Sequence, residues 1–243
     1  MSRQPPEQQA PPVQRLRARS ATRGRLRFTS HRDFSRAFER AVFRAQVPMA
    51  YSSGFNPHPR ISYAGAAPTG SASEAEYLEI ALAQVVDPAT IHALLDESLP
   101  DGLDVLEVVD AADLEKGGLA DRLVASRWLI DTGADETLAR SAVAGFLAAE
   151  SVTVERMTKK GLREFDCRAA VVSLVVADDG AAQGRLRLDL VLRHSVPSVR
   201  PDDVLTGIRS LSALDLGGPP LLTRVEQGPL DEATGVVGDP LAR

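Results

Sequence analysis

The chain has 243 residues, 44% apolar and 25% charged, with a single cysteine and a net charge of −5. That length suits one large domain or two of about 100 residues each, and the composition excludes fibrous repeats and wholesale disorder. No run approaches the roughly 18 apolar residues of a membrane span, and the N-terminus lacks the apolar stretch of a secretory signal. Cys167 alone excludes an internal disulfide and any multi-cysteine zinc or iron–sulfur site. The expectation is a cytoplasmic protein away from membranes, with no cofactor and no metal of its own.

Charge is split along the chain. Residues 1–60 hold twelve arginines against Glu7, Asp33 and Glu39, a net of +9, so the rest carries −14. A basic N-terminal part on an acidic body points to a surface that meets an anion, nucleic acid above all. The competing explanation is compositional, because 25 Arg against 3 Lys is what a GC-rich coding sequence produces.

Residues 1–12, rich in Pro and Gln, read as a disordered tail. Residues 13–29 alternate apolar residues with arginine, the period of a half-exposed strand or hairpin. Ser30 caps a helix over about 31–46, with Asp33 in its first turn and an apolar stripe from Phe34 through Phe38 and Val42 to Ala45. A turn-rich loop covers 50–60. Strands follow at 60–66 and 76–84, then a helix at 88–98 opened by Asp87-Pro88, then a strand at 103–109. Residues 111–126 read as a linker broken by Gly117-Gly118.

The second half predicts a strand at 127–133, a helix at 135–150 started by Asp135, and strands at 151–157, 163–177 and 184–194. A helix at 202–211 and a strand at 221–227 complete it, before a disordered tail at 228–243. The fold class is α+β: two ferredoxin-like β-α-β-β-α-β domains in tandem, 13–110 and 127–227, the second with one extra strand.

At about 100° per residue, Arg32, Arg36, Arg40 and Arg44 fall within about 120° of one another, opposite the apolar stripe. Such a row can grip phosphates, or be an ordinary solvated helix face. The strand arginines, including Arg25 and Arg27, add to the binding reading. The loop from Tyr51 to Arg60 holds two prolines, a glycine and two aromatics. Tyr51, Phe55, Asn56 and Arg60 are candidates for holding unpaired bases. The plainer alternative is an Ω-type loop whose Tyr51 and Phe55 plug the core, and for Phe55 that reading is the favoured one.

His31, at the start of the first helix, and His58, in the loop, are the candidate catalytic residues. With Asp33 they lack the close spacing of a metal site, so no metal is expected. Lys159 and Lys160 extend a second basic hairpin that can lengthen a nucleic-acid track. Glu74, Glu76 and Glu79 read as charged strand protection, Cys167 as buried and inert, and His92 as structural. The role of His194 is open.

The stretch RFTSHRDFSRAFERAVFRAQVPMAYSSGFNPHPRISYAGAAPTG, followed by EYLEIAL, resembles the radical-SAM-linked protein family of bacteria. The matching positions are Arg27, Phe28, Ser30, His31, Asp33, Arg36, Arg40, Tyr51, Ser52 and Gly54 to Pro59. Gly70, Glu76, Tyr77, Lys160 and Asp166 fit downstream, and Arg32 stands where an apolar residue is more typical. The resemblance covers roughly residues 14–226. It implies a cobalamin-type radical SAM partner that carries the radical chemistry, because this chain has no CxxxC. The family has no settled activity. A weaker, topological analogy is to the CRISPR repeat-processing endoribonucleases, which cut RNA without metal.

Three functions follow. The leading expectation is an accessory protein that binds RNA and presents it to the radical SAM partner, with no activity of its own. The first alternative is a metal-independent endoribonuclease using His31. The second is a protein–protein adaptor for the same partner that touches no nucleic acid. The RNA and the oligomeric state are left open.

Overall fold

The computed structural model describes residues 8–158, 161–177 and 184–242. The chain divides into two compact units, Met1–Arg122 with Pro240–Arg243, and Leu123–Asp239. Each is α+β. Among the described residues no helix is long and apolar enough to cross a membrane.

In the first unit β1 (Gln14–Thr22) is followed by a 3-10 turn (Gly24–Phe28) and α1 (His31–Arg44). Then come β2 (Ile61–Ala64), β3 (Ala72–Leu82), α2 (Pro88–Ser98) and β4 (Leu103–Asp110). The strands are antiparallel in the order β4-β1-β3-β2. The Ser30 hydroxyl accepts the Asp33 N–H at 3.2 Å, and the Asp87 carboxylate accepts that of Thr90 at the same distance, so both helices start on side-chain caps. α1 stops at Gln46, which takes a φ of +53°. There the Gln46 and Val47 N–H groups donate to Phe43 and Val42, closing the last turn in the usual left-handed way.

Alternation in β1 sets which face is which. Leu16 and Ala18 join Phe38, Val42, Ile91, Leu95, Leu78 and Ile80 in one buried cluster, so both helices cover the same side of the sheet. The other side carries Arg15, Arg17, Arg19 and Glu79 beside the buried Tyr77 and Ala81. Arg17 is only 4% exposed there. It donates to Glu79 at 3.1 Å and to the Gly117 carbonyl at 2.6 Å. Segment 111–122, expected as a linker, is therefore held to this sheet; it ends in the short α3 (Leu119–Arg122), and its Leu114 and Leu119 are buried.

The second unit runs β5 (Ala125–Thr132), α4 (Glu136–Ala148), β6 (Thr153–Thr158), β7 (Gly161–Asp166), β8 (Val171–Ala177), β9 (Leu186–Arg193), α5 (Pro201–Leu211) and β10 (Leu221–Gly228). Its main strands are antiparallel in the order β10-β5-β9-β8, and β6 and β7 form a separate two-stranded sheet. The expected single strand over 163–177 is two strands, so the insertion is a hairpin and not one extra strand. The break has a local cause at Asp166. Its carboxylate accepts N–H groups of Val152 and Arg168 at 3.0 and 2.9 Å, which turns the chain between β7 and β8. Burial alone would raise the Asp166 pKa, but these N–H donors hold it below the usual carboxylate range.

Residues after β10 were expected to form a tail. Instead Leu230 bridges to Val237, and Val237 packs on Ala125 and Val191.

Candidate nucleic-acid interface

The arginines of residues 1–60 fall into two groups. On β1 and just past its end they are spent on the sheet. Arg15 pairs with Glu79 at 2.8 Å, and Arg23, which follows β1, pairs with Glu74 and with Asp104. Arg19 sits 4.0 Å from Glu107. These explain Glu74 and Glu79 as partners of strand arginines. Arg25 and Arg27 stand on the 3-10 turn and not on a strand, because Gly24 bends the chain at a φ of +56°. Arg27 lies over the Phe28 ring at 4.8 Å.

On α1 the picture reverses. Arg32, Arg36, Arg40 and Arg44 are exposed, and none forms an ion pair with a described residue. Arg36, Arg40 and Arg44 line an open groove of about 1060 Å³. Glu39, Gln46, Val47, Tyr51 and Pro59 line it with them, so three arginines face a single carboxylate there. Cation chemistry and an aromatic ring thus share one concave surface.

The loop that supplies Tyr51 is tied at its base. Tyr51 bridges to Pro59, and the Ser52 N–H donates to the His58 carbonyl at 2.9 Å. The His58 N–H donates back to the Ser52 hydroxyl at 3.0 Å. The Arg60 guanidinium donates to the Tyr51 carbonyl at 3.0 Å, so Arg60 clasps the loop. Tyr51 is 40% exposed and Phe55 65%, so neither ring is a core plug. The two prolines and the Ser52 clasp hold the loop shut without a buried aromatic. Asn56 and His58 are exposed on its outer side.

Phe43 joins this surface although no motif in the sequence singles it out. It is 82% exposed and lines the same groove as Arg36 and Arg40. The signal was available. At 100° per residue Phe43 lies about 20° from Arg36 and about 140° from Phe38, on the polar side of the helix.

His31 is elsewhere. With Arg27, Thr29, Ser71 and Glu76 it lines a cavity of about 40 Å³. That is room for about one water molecule. Its ring meets Tyr63 edge-on, 5.2 Å between centroids, beside Phe34 and Phe38. Burial pushes the Tyr63 hydroxyl up to about 12, opposed by Ser35 and helped by the Glu39 charge. His31 belongs to the α1 N-terminus and its small cavity, and His58 to the loop clasp.

The remaining candidates have structural partners. Glu76 accepts the Ala67 N–H at 3.3 Å, and the His92 ring meets the Val105 carbonyl at 2.9 Å. His194 bridges the Leu123 carbonyl through Nδ1 at 2.7 Å and the Ser126 hydroxyl through Nε2 at 3.1 Å. Burial lowers its pKa; the Leu123 bond opposes this and the Arg224 charge adds to it. Cys167 is fully buried, and burial pushes its thiol up to about 11. Arg168, in the second basic segment, donates to the Leu147 and Val171 carbonyls. Lys159 and Lys160 lie outside the described residues. Among the described residues no three His, Cys, Asp or Glu side chains gather as a metal site.

No curated protein matches the sequence. Residues 15–201, most of the chain and all of the α1 groove, match the family described as an uncharacterized protein conserved in bacteria (DUF2344). The chain belongs to that bacterial family.

Proposed function

We propose that this protein binds RNA through the α1 groove and presents it to a second enzyme. One observation carries the reading: four arginines on successive turns of one helix face are exposed and unpaired among the described residues, and three of them line a groove that also holds Tyr51. Arginine forks in a row at helical pitch match the repeating phosphates of a strand. The strand arginines are weaker candidates, because Arg15 and Arg17 are held by the shared Glu79 carboxylate and Arg23 by Glu74 and Asp104.

The partner is a cobalamin-type radical SAM protein. The resemblance around His31 and the GFNPHP loop supports that part. Each unit is read as ferredoxin-like, which its strand order and the sequence of its elements support.

The test is RNA binding by the wild type and by an Arg36→Gln/Arg40→Gln variant across a salt series. Each phosphate contact on a single strand contributes a slope of about −0.7 in log K against log salt, so removing two lowers the slope by about 1.4. At 0.1 M salt that is a loss of about 25-fold. Equal affinity and equal slope for the two proteins would count against RNA binding at this face and favour a protein adaptor.

A further inference from the structure

We propose that Phe43 is a base-stacking platform, and that the groove therefore takes unpaired RNA in preference to duplex. This deepens the RNA-binding reading and rests on it.

A single exposed phenylalanine is ordinary on a protein surface. Phe43 differs in where it stands. It lies on α1 at a phase between Arg32 and Arg36, on the side of the helix away from the buried Phe38. A slip in the apolar stripe would place it at the edge of that stripe, and it does not lie there. The groove also contains a second exposed ring, Tyr51, from the tied loop.

Charge and rings together select the ligand. Arginines hold phosphates in any nucleic acid, so they do not distinguish strand from duplex. Aromatic faces do. In a duplex the base faces are already stacked inside the helix, and only unpaired bases can leave the stack to lie on a side chain. Phe43 offers a π-face within the arginine row, and Tyr51 offers another from the loop. Stacking is tolerant of base identity, so the groove reads strandedness rather than sequence.

The probes are a fluorescent single strand of about ten uridines, matched to the usual site sizes of such grooves, and a fully paired RNA of the same length. Both are titrated with the wild type, Phe43→Ala, Phe43→Tyr and Arg36→Gln/Arg40→Gln. Phe43→Ala should weaken single-strand binding about tenfold, leave its salt slope unchanged and leave duplex binding unchanged. Phe43→Tyr should restore wild-type affinity. If Phe43→Ala binds the single strand as tightly as wild type, or loses both probes equally, the stacking role is wrong. The arginine variant separates the two readings. If it weakens both probes while Phe43→Ala weakens neither, RNA binding stands and stacking falls. If no variant changes either probe, both readings fall.

Discussion

Replacing Glu79 with glutamine should destabilise the first unit by about 3 kcal/mol. Glu79 accepts from Arg17 at 3.1 Å and from Arg15 at 2.8 Å. The Arg17 side chain is 5% exposed, and its Nη1 has no partner among the described residues. With glutamine there, the buried guanidinium keeps the Gly117 carbonyl and at most one neutral amide oxygen, and loses the opposite charge. Breaking one side of a buried pair costs about 3–5 kcal/mol, and glutamine keeps one acceptor, which favours the lower end. For a chain of this size that is about 6–12 °C in Tm. Glu107→Gln is the control. Its partner Arg19 lies at 4.0 Å with both side chains 35% exposed, a geometry worth less than about 0.5 kcal/mol. Arg17→Met combined with Glu79→Leu should recover most of the loss, because an apolar pair replaces a buried ionic one without a lone charge. Thermal and urea unfolding measure all three. A Glu79→Gln protein as stable as Glu107→Gln, or a double variant as unstable as Glu79→Gln, would refute the division between sheet-holding and solvent-facing arginines.

Three further changes probe the fold. Gln46→Gly should stabilise by about 1 kcal/mol in urea, because the helix ends there at a φ of +53° that a side chain disfavours. His194 should make stability pH-dependent in one direction. Its folded pKa lies below its ordinary value, so as pH falls below about 6.5 the unfolded chain takes up a proton that the folded chain refuses. Stability should therefore fall on acidification from about 6.5 downward and be flat above it. Because other groups also titrate there, the difference between wild type and His194→Gln isolates this slope; no difference would contradict the assignment. Gly207→Ala should cost about 1–3 kcal/mol by overpacking. The added carbon would stand 2.6 Å from the Cys167 sulfur and 3.0 Å from Val152, and adding Cys167→Ala should relieve part of the loss.

Much of the fold could be read from the sequence, because local signals and burial agree in it. Ser30, Asp87 and Asp135 each cap the helix that the pattern assigned to them. The alternation of β1 separates its buried leucine from its arginines. What periodicity could not give is the break between β7 and β8. The Asp166 carboxylate takes the Arg168 N–H two residues on, a local turn, and also the Val152 N–H 14 residues back, which no window shows. The same limit applies to the strand arginines. Their number is plain in the sequence, but their pairing with Glu79, Glu74 and Asp104 depends on strand register. For the loop, residue type misleads. Phe55 reads as a plug because it is aromatic, but one backbone bond and one Ser52 hydroxyl bond between Ser52 and His58 already close the loop and leave the ring outside. Phe43 was legible from its helical phase, which sets it on the arginine side and outside the apolar stripe.

The most direct test of the central claim is retention of total cellular RNA by the purified protein at low and moderate salt, with the RNA recovered and sized afterwards. The account predicts retention that falls steeply with salt, is largely lost in the Arg36→Gln/Arg40→Gln protein, and returns intact RNA. Fragments produced by the wild type and not by His31→Ala would move the function to a nuclease. No retention at either salt would contradict RNA binding altogether.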